Sequence, residues 1–219
     1  MSSPSPSSPD DRYLREAMDF VQHEDVVDKH TIVVSSAIDK SVIWRIRRLL
    51  DYEFPTRAIF SLTKVPAKAD WDSQWFPPAL AYDGFPLALR VVGSVVEVDV
   101  DGLRSLGGSA SLALELMRDV DHDALVKLIQ KGDSRSETFP EHMHLTQRVN
   151  GPAAGFSQVY DARGGLRPRE KMPKLSILDV RKGDVVVAEC VCERDGVEGQ
   201  GAVSFDVLSV AILAQPGKG

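Results

Sequence analysis

Between Leu87 and Val100 hydrophobic residues alternate with others, and the alternation changes phase once. Leu87, Leu89 and Val91 hold odd positions with Arg90 on the opposite side, whereas Val96, Val98 and Val100 hold even ones; Gly93 stands at the changeover. A strand points successive side chains to opposite faces, so a change of phase requires an extra residue, as in a bulge or sharp bend. Glycine tolerates the dihedrals such a bend demands. The pattern therefore predicts one long strand coiled around a small barrel.

The other periodicities fill in the frame. Residues 13–21 and Ser41–Asp51 have helical spacing, the second with Ile43, Ile46 and Leu50 on one stripe; Thr31–Val34 and Ala58–Leu62 read as short strands. Residues 65–86 contain four prolines and read as an irregular segment. Residues 109–131 read as helix, with Leu112, Leu116 and Val120 in one stripe. The run Asp119, Asp121, Asp123 is a point where it divides, and Gly132 is its end. Met143–Val149 and Phe156–Tyr160 read as strands around an Asn150-Gly151-Pro152 turn, and Asp184–Glu193 with Ala202–Leu213 as a hairpin around a glycine-rich loop. In that hairpin Val186, Ala188, Cys190 and Cys192 share a face, and the second strand changes face near Val207 and Leu208. The expected fold is α+β. A Ser/Pro tail (1–10) precedes an N-terminal helix-strand-helix portion with an aromatic Pro-rich loop (11–84). A bent β-barrel or small β-rich, OB-like domain follows (85–214), ending in a flexible C-terminus (215–219).

Composition narrows the function classes. With 219 residues and 43% of them hydrophobic, the chain is long enough for a real core. Its longest apolar runs fall far short of the roughly 20 residues that cross a bilayer, so no membrane partner is expected. Residues 1–10 lack the basic start and apolar stretch of a secretory signal, and the two cysteines, two apart in one strand, are badly placed to bond to each other. The expectation is an intracellular protein, cytoplasmic or nuclear, with reduced thiols. A net charge of −6 argues against coating nucleic acid through overall charge, and leaves room for a local basic patch.

The segment from Lys174 through Lys182-Gly183-Asp184 to Asp195, followed by Val203–Leu213, resembles the last two strands of OB-fold single-stranded nucleic-acid-binding proteins, in which a Lys-Gly-Asp-like turn often precedes the fourth strand. Leu89–Val98, with Gly93 inside it, resembles that family's glycine-bent first strand. The resemblance implies an OB-like barrel and a nucleic-acid-binding role. One departure stands out: the family's helix usually lies between its third and fourth strands, whereas here the long helical stretch follows soon after the first.

Residues 162–174 hold Arg163, Arg167, Arg169, Lys171 and Lys174 against the single acid Glu170. Such a loop suits a phosphate backbone, with Phe156 and Tyr160 just before it as stacking surfaces for bases; its plain alternative is a solvated loop offsetting acidic neighbours. Trp44, Arg47 and Arg48 share one side of a helix and form a second basic-aromatic surface, or else the shielded edge of a core. Trp71, Trp75 and Phe76 in the Pro-rich loop are partner-binding candidates for self-association, against the alternative of a loop folded over one end of a barrel.

Catalytic and metal signatures are weak. His142 and His144 alternate on a strand without a ligand spacing that singles out a metal. Glu97, Asp99 and Asp101 read as a solvated strand face. There is no Gly-x-Ser-x-Gly elbow, no phosphate-binding Gly-Lys loop and no basic neighbour beside the cysteines. No cofactor, metal or catalytic residue is assigned, and binding rather than catalysis is the expectation. Single-stranded nucleic acid is the leading partner, and a self-assembling structural subunit is the alternative.

Overall fold

The computed structural model describes residues 29–34, 38–100, 109–133, 136, 139–148, 158–195 and 201–216. In chain order the elements are α1 (Lys40–Leu50), β1 (Glu53–Phe54), β2 (Ile59–Ser61), β3 (Asp70–Asp72), β4 (Ala79–Tyr82), β5 (Phe85–Pro86), β6 (Ala88–Asp99) and β7 (Ser109–Leu116). Then come α2 (Asp119–Gly132), β8 (Met143–Arg148), β9 (Val159–Asp161), β10 (Lys174–Leu175), β11 (Val185–Arg194) and β12 (Val203–Ala214).

Five strands pair in a circuit. β6 runs antiparallel to β7, β7 to β8, β12 to β11, and β11 back to β6. β8 and β12 are parallel and joined by one pair, Thr146 with Asp206, so the ring is only partly zipped there. The helix α2 lies between the second and third strands of this ring. The long strand β6 makes the ring possible because it serves β11 on one edge along 88–94 and, on the other, β2 (in parallel) along 88–90 and then β7 along 93–99.

The expected change of face in β6 occurs three residues beyond the glycine. Val95 pairs with Leu114 and Glu97 with Ala113, which leaves Val96 as the extra residue. Accordingly Leu89, Val91 and Val95 face the interior before the bulge and Val98 and Val100 pack against it afterwards. Gly93 has a different task, since a Cβ there would lie 2.8 Å from the Glu115 carbonyl oxygen and 3.0 Å from Leu114 Cβ. β12 has its own bulge where the sequence changes face: Glu189 pairs with Ser209 and Cys190 with Val207, skipping Leu208. Val186, Ala188, Cys190 and Cys192 from β11 meet Phe205, Val207, Val210 and Ile212 from β12 in the interior core.

Several expectations need correction. Residues 109–116 form a strand, not the first half of a helix: Ala110, Leu112, Leu114 and Leu116 alternate with Ser111 and Glu115, and that two-residue period wins over the coincident spacing of Leu112, Leu116 and Val120. The acidic run marks the start of α2, with Asp119 and Asp121 in its first turn. Thr31–Val34 is not a strand; its ordered contact is the Val33 N–H donating to the Met117 carbonyl at 2.9 Å. The Pro-rich segment is more regular than expected, because β3 pairs with β4 and β4 with β5 across Asp83-Gly84, both at positive φ (51° and 81°). Two successive positive-φ residues are what a tight hairpin turn of matching twist requires, and Asp-Gly supplies them. The expected 13–21 helix, the 150–152 turn and Asp101 lie outside the described residues.

The outer side of the sheet carries a second core. Val92, Val185, Val187, Ala211 and Leu213 point away from the ring interior and are covered by Ile38, Val42, Ile46, Leu49 and Leu50 of the α1 region and by Tyr160, Ala162 and Met172. Asp39 caps α1 by accepting from the Ser41 N–H at 2.8 Å. Arg118, buried between strand and helix, donates to Asp121 (2.9 and 2.8 Å), to Asp51 and to the Leu50 carbonyl, binding the end of α1 to the start of α2.

Candidate nucleic-acid interface

Where that outer cover stops, a groove of about 400 Å³ remains open over β6, β11 and β12. Its floor follows the strand register: Arg90 lies directly opposite Glu189, which lies opposite Ser209, with Val187 and Ala211 in the next row. One wall is the segment after α1, with Tyr52, Phe54 and Arg57; the other is the basic loop, with Leu166, Arg167, Arg169 and Met172. Four guanidiniums thus face two carboxylates, Glu170 and Glu189, beside two aromatic rings of the first wall.

The floor is electrostatically settled. Arg90, 12% exposed, places its guanidinium 3.9 Å from the centre of the Tyr52 ring and donates to Glu189 Oε1 from Nη2 at 2.5 Å and from Nε at 3.1 Å. Arg169, at the rim and 41% exposed, donates to the other oxygen, Oε2. Burial alone pushes the Glu189 carboxyl upward, but hydrogen bonds and charge from Arg90, with Arg169 behind them, outweigh it and hold the group below the ordinary carboxylate value. The rim differs. Arg167 is exposed and makes no hydrogen bond or ion pair among the described residues, and Arg57 is exposed, resting 5.5 Å from the ring of the half-exposed Phe54.

The sequence-derived candidates distribute unevenly around this site. Arg167 and Arg169 line the groove as a pair. Arg163 does not: Asp161 holds it through three hydrogen bonds of 2.7 to 3.0 Å and Gln215 through one of 2.6 Å. Lys171 and Lys174 are exposed beside the groove and are not part of its wall, Lys174 lying in β10 opposite Tyr160. Tyr160 also borders the groove, but it is 4% exposed and packed in the outer core with its hydroxyl donating to Gln158, so it offers little open ring face to a base. Phe156 lies outside the described residues. Tyr52, Phe54, Arg57, Arg90 and Glu189 were not singled out by sequence reasoning; an aromatic pair flanking Glu53, three residues ahead of an arginine, was the available signal.

The aromatic loop splits in the same way. Trp71 is partly buried, its indole N–H donating to the Lys131 carbonyl at 3.2 Å and its ring under Arg194 at 5.2 Å. That places it in the covering of the core. Trp75 is partly exposed, and Phe76 is fully exposed, at 101%. Trp44 is exposed with Arg48 4.8 Å from its ring. Among the described residues no group of three His, Cys, Asp or Glu side chains is arranged to hold a metal ion, and no helix is long and apolar enough to cross a membrane.

No protein-family model matches the chain, and no curated protein matches it significantly. Among solved structures the chain is similar to the single-stranded DNA-binding protein from bacteriophage Enc34, at 12% identity and a TM-score of 0.35, over 68% of this chain and 92% of that one. It is similar also to a C-terminal truncation of the same phage protein, at 12% identity and a TM-score of 0.32, over 69% and 99%.

Proposed function

We propose that this protein binds single-stranded nucleic acid, without catalysing a reaction on it, in the groove between the segment after α1 and the basic loop. The observation that carries the reading is the placement in one groove of two rim guanidiniums with no ion pair among the described residues, Arg57 and Arg167, and the exposed Phe54, against whose ring Arg57 rests at 5.5 Å. A cationic rim attracts a phosphate backbone, and an open aromatic ring stacks on any base whose face is free. A duplex hides those faces in its own stack, so the aromatic contact selects unpaired strands. The ring of strands β6, β7, β8, β12 and β11 supports an OB-like barrel, an architecture that commonly presents such surfaces.

The test is a fluorescence-anisotropy titration with labelled single-stranded and duplex DNA and single-stranded RNA. Tighter binding of single strands, weakened by Phe54→Ala by the roughly 1–3 kcal/mol a stacked base is worth, is expected; equal affinity for duplex and strand, or no effect of Phe54→Ala, refutes the groove. A second reading, self-association through the aromatic loop, is favoured by the full exposure of Phe76. It predicts a concentration-dependent sedimentation coefficient that Phe76→Ala abolishes.

A further inference from the structure

Glu189 is the one acidic group on the groove floor that reaches both a fixed and a rim arginine. Its two oxygens are shared between them: Oε1 takes Arg90, pinned beneath by the Tyr52 ring, and Oε2 takes Arg169, which stands on the basic loop. A carboxylate held this way offers guanidinium groups the same pair of acceptor oxygens that a backbone phosphate offers. We propose that Glu189 is a built-in competitor for the nucleic-acid phosphate, an autoinhibitory contact that keeps Arg169 out of the binding surface until a polyanion displaces it.

The inference rests on the groove being the nucleic-acid site. Arg90 and Arg169 differ in what they can do. Arg90 is nearly buried, opposite Glu189 in the ladder and stacked on Tyr52, so it stays with the carboxylate. Arg169 is half-exposed and sits on a loop wall beside Arg167, which has no partner among the described residues. When Arg169 turns to a phosphate, Glu189 keeps Arg90 and remains neutralised. A ligand with a single phosphate finds Arg57 and Arg167 without a carboxylate partner among the described residues and has no need of Arg169. A strand with successive phosphates gains from recruiting it, so the contact sharpens the preference for a polymer over a mononucleotide.

The experiment compares Glu189→Gln, Arg169→Ala, Arg167→Ala and the Glu189→Gln/Arg169→Ala double variant against the native protein, with a short single-stranded oligonucleotide at 50 and 200 mM salt. Releasing Arg169 adds one neutralised phosphate, which steepens the logarithmic salt slope by about 0.7 and tightens binding about eightfold at 50 mM and about threefold at 200 mM. In the native background Arg169→Ala costs less than about twofold, since its charge is already taken, whereas in the Glu189→Gln background it removes the whole gain. Unchanged or weaker binding by a Glu189→Gln protein whose melting curve stays cooperative overturns the proposal. Should Glu189→Gln fail to fold, the native-background pair decides: Arg169→Ala weakening binding as much as Arg167→Ala overturns it. Absence of any salt-sensitive binding by the native protein is a separate result, which removes the groove reading itself and this proposal with it.

Discussion

Gly93→Ala has a sign that separates two accounts of the long strand. If Gly93 only loosens the alternation, alanine is an improvement, because glycine loses more conformational freedom on folding and costs about 0.5–1 kcal/mol relative to alanine in a strand. The structure places the phase change at Val96 and gives Gly93 another role: there β6 pairs with β11 through Val186 and with β7 through Leu116 at the same residue. A Cβ at Gly93 would stand 2.8 Å from a backbone oxygen and 3.0 Å from Leu114 Cβ, itself completely buried. Neither neighbour is the free end of a flexible side chain, so β7 has to shift. Overpacking of this kind costs about 1–3 kcal/mol, and after the alanine gain of about 0.5–1 kcal/mol is subtracted a net loss of up to about 2.5 kcal/mol remains. In a chain of this size that lowers the thermal midpoint by up to about 10 °C, read by circular dichroism or calorimetry. A Gly93→Ala protein more stable than the native one, showing the alanine gain unopposed, refutes the close-approach argument.

Other expectations follow from the groove and the core. Arg167→Ala, made at an exposed side chain without a partner among the described residues, should leave the melting curve alone and reduce the salt slope of oligonucleotide binding by about 0.7. Phe54→Ala should weaken binding with the slope unchanged, so the two variants separate charge from stacking in one anisotropy series. The depressed Glu189 carboxyl contributes stability that is present above the unfolded carboxylate value of about 4.3 and is lost as pH falls through the lower folded one. The midpoint difference between native protein and Glu189→Gln should therefore be flat from neutrality to about pH 5 and shrink below about pH 4. Cys190 and Cys192 are completely buried, and burial pushes both thiols upward; alkylation at neutral pH should be negligible in the native protein and rapid after denaturation.

The strand ring was legible wherever one face is buried and the other is not. In β11 and β12 the alternation is uncluttered, and even the bulge at Leu208 shows as a change of phase. β7 was misread because its leucines satisfy a period of two and a period near four at once, and only pairing with β6 and β8 chooses between them. The Asp83-Gly84 hairpin was hidden by the prolines around it, although Asp-Gly is a strong turn signal. For the groove, the half supplied by contiguous sequence was visible as a run of basic residues. Arg90 and Glu189 are 99 positions apart, and nothing local marks them as neighbours. Arg163 shows the converse error: charge in a list of residues says nothing about whether Asp161 has already claimed it.

The pairing of β6 with β11 has a consequence for synthesis. Ser94 waits for Val185, and Ala88 for Val191, a delay of some 90 to 100 residues. At roughly 5–20 residues per second on the ribosome the nascent chain spends about 5–20 s with the second edge of the long strand β6 unpaired. Strand β11 is what covers that edge, so a truncation that ends before Val185 exposes it permanently. Open strand edges of this composition are templates for aggregation. Such a shortened chain would be recovered from the insoluble fraction, whatever becomes of the groove.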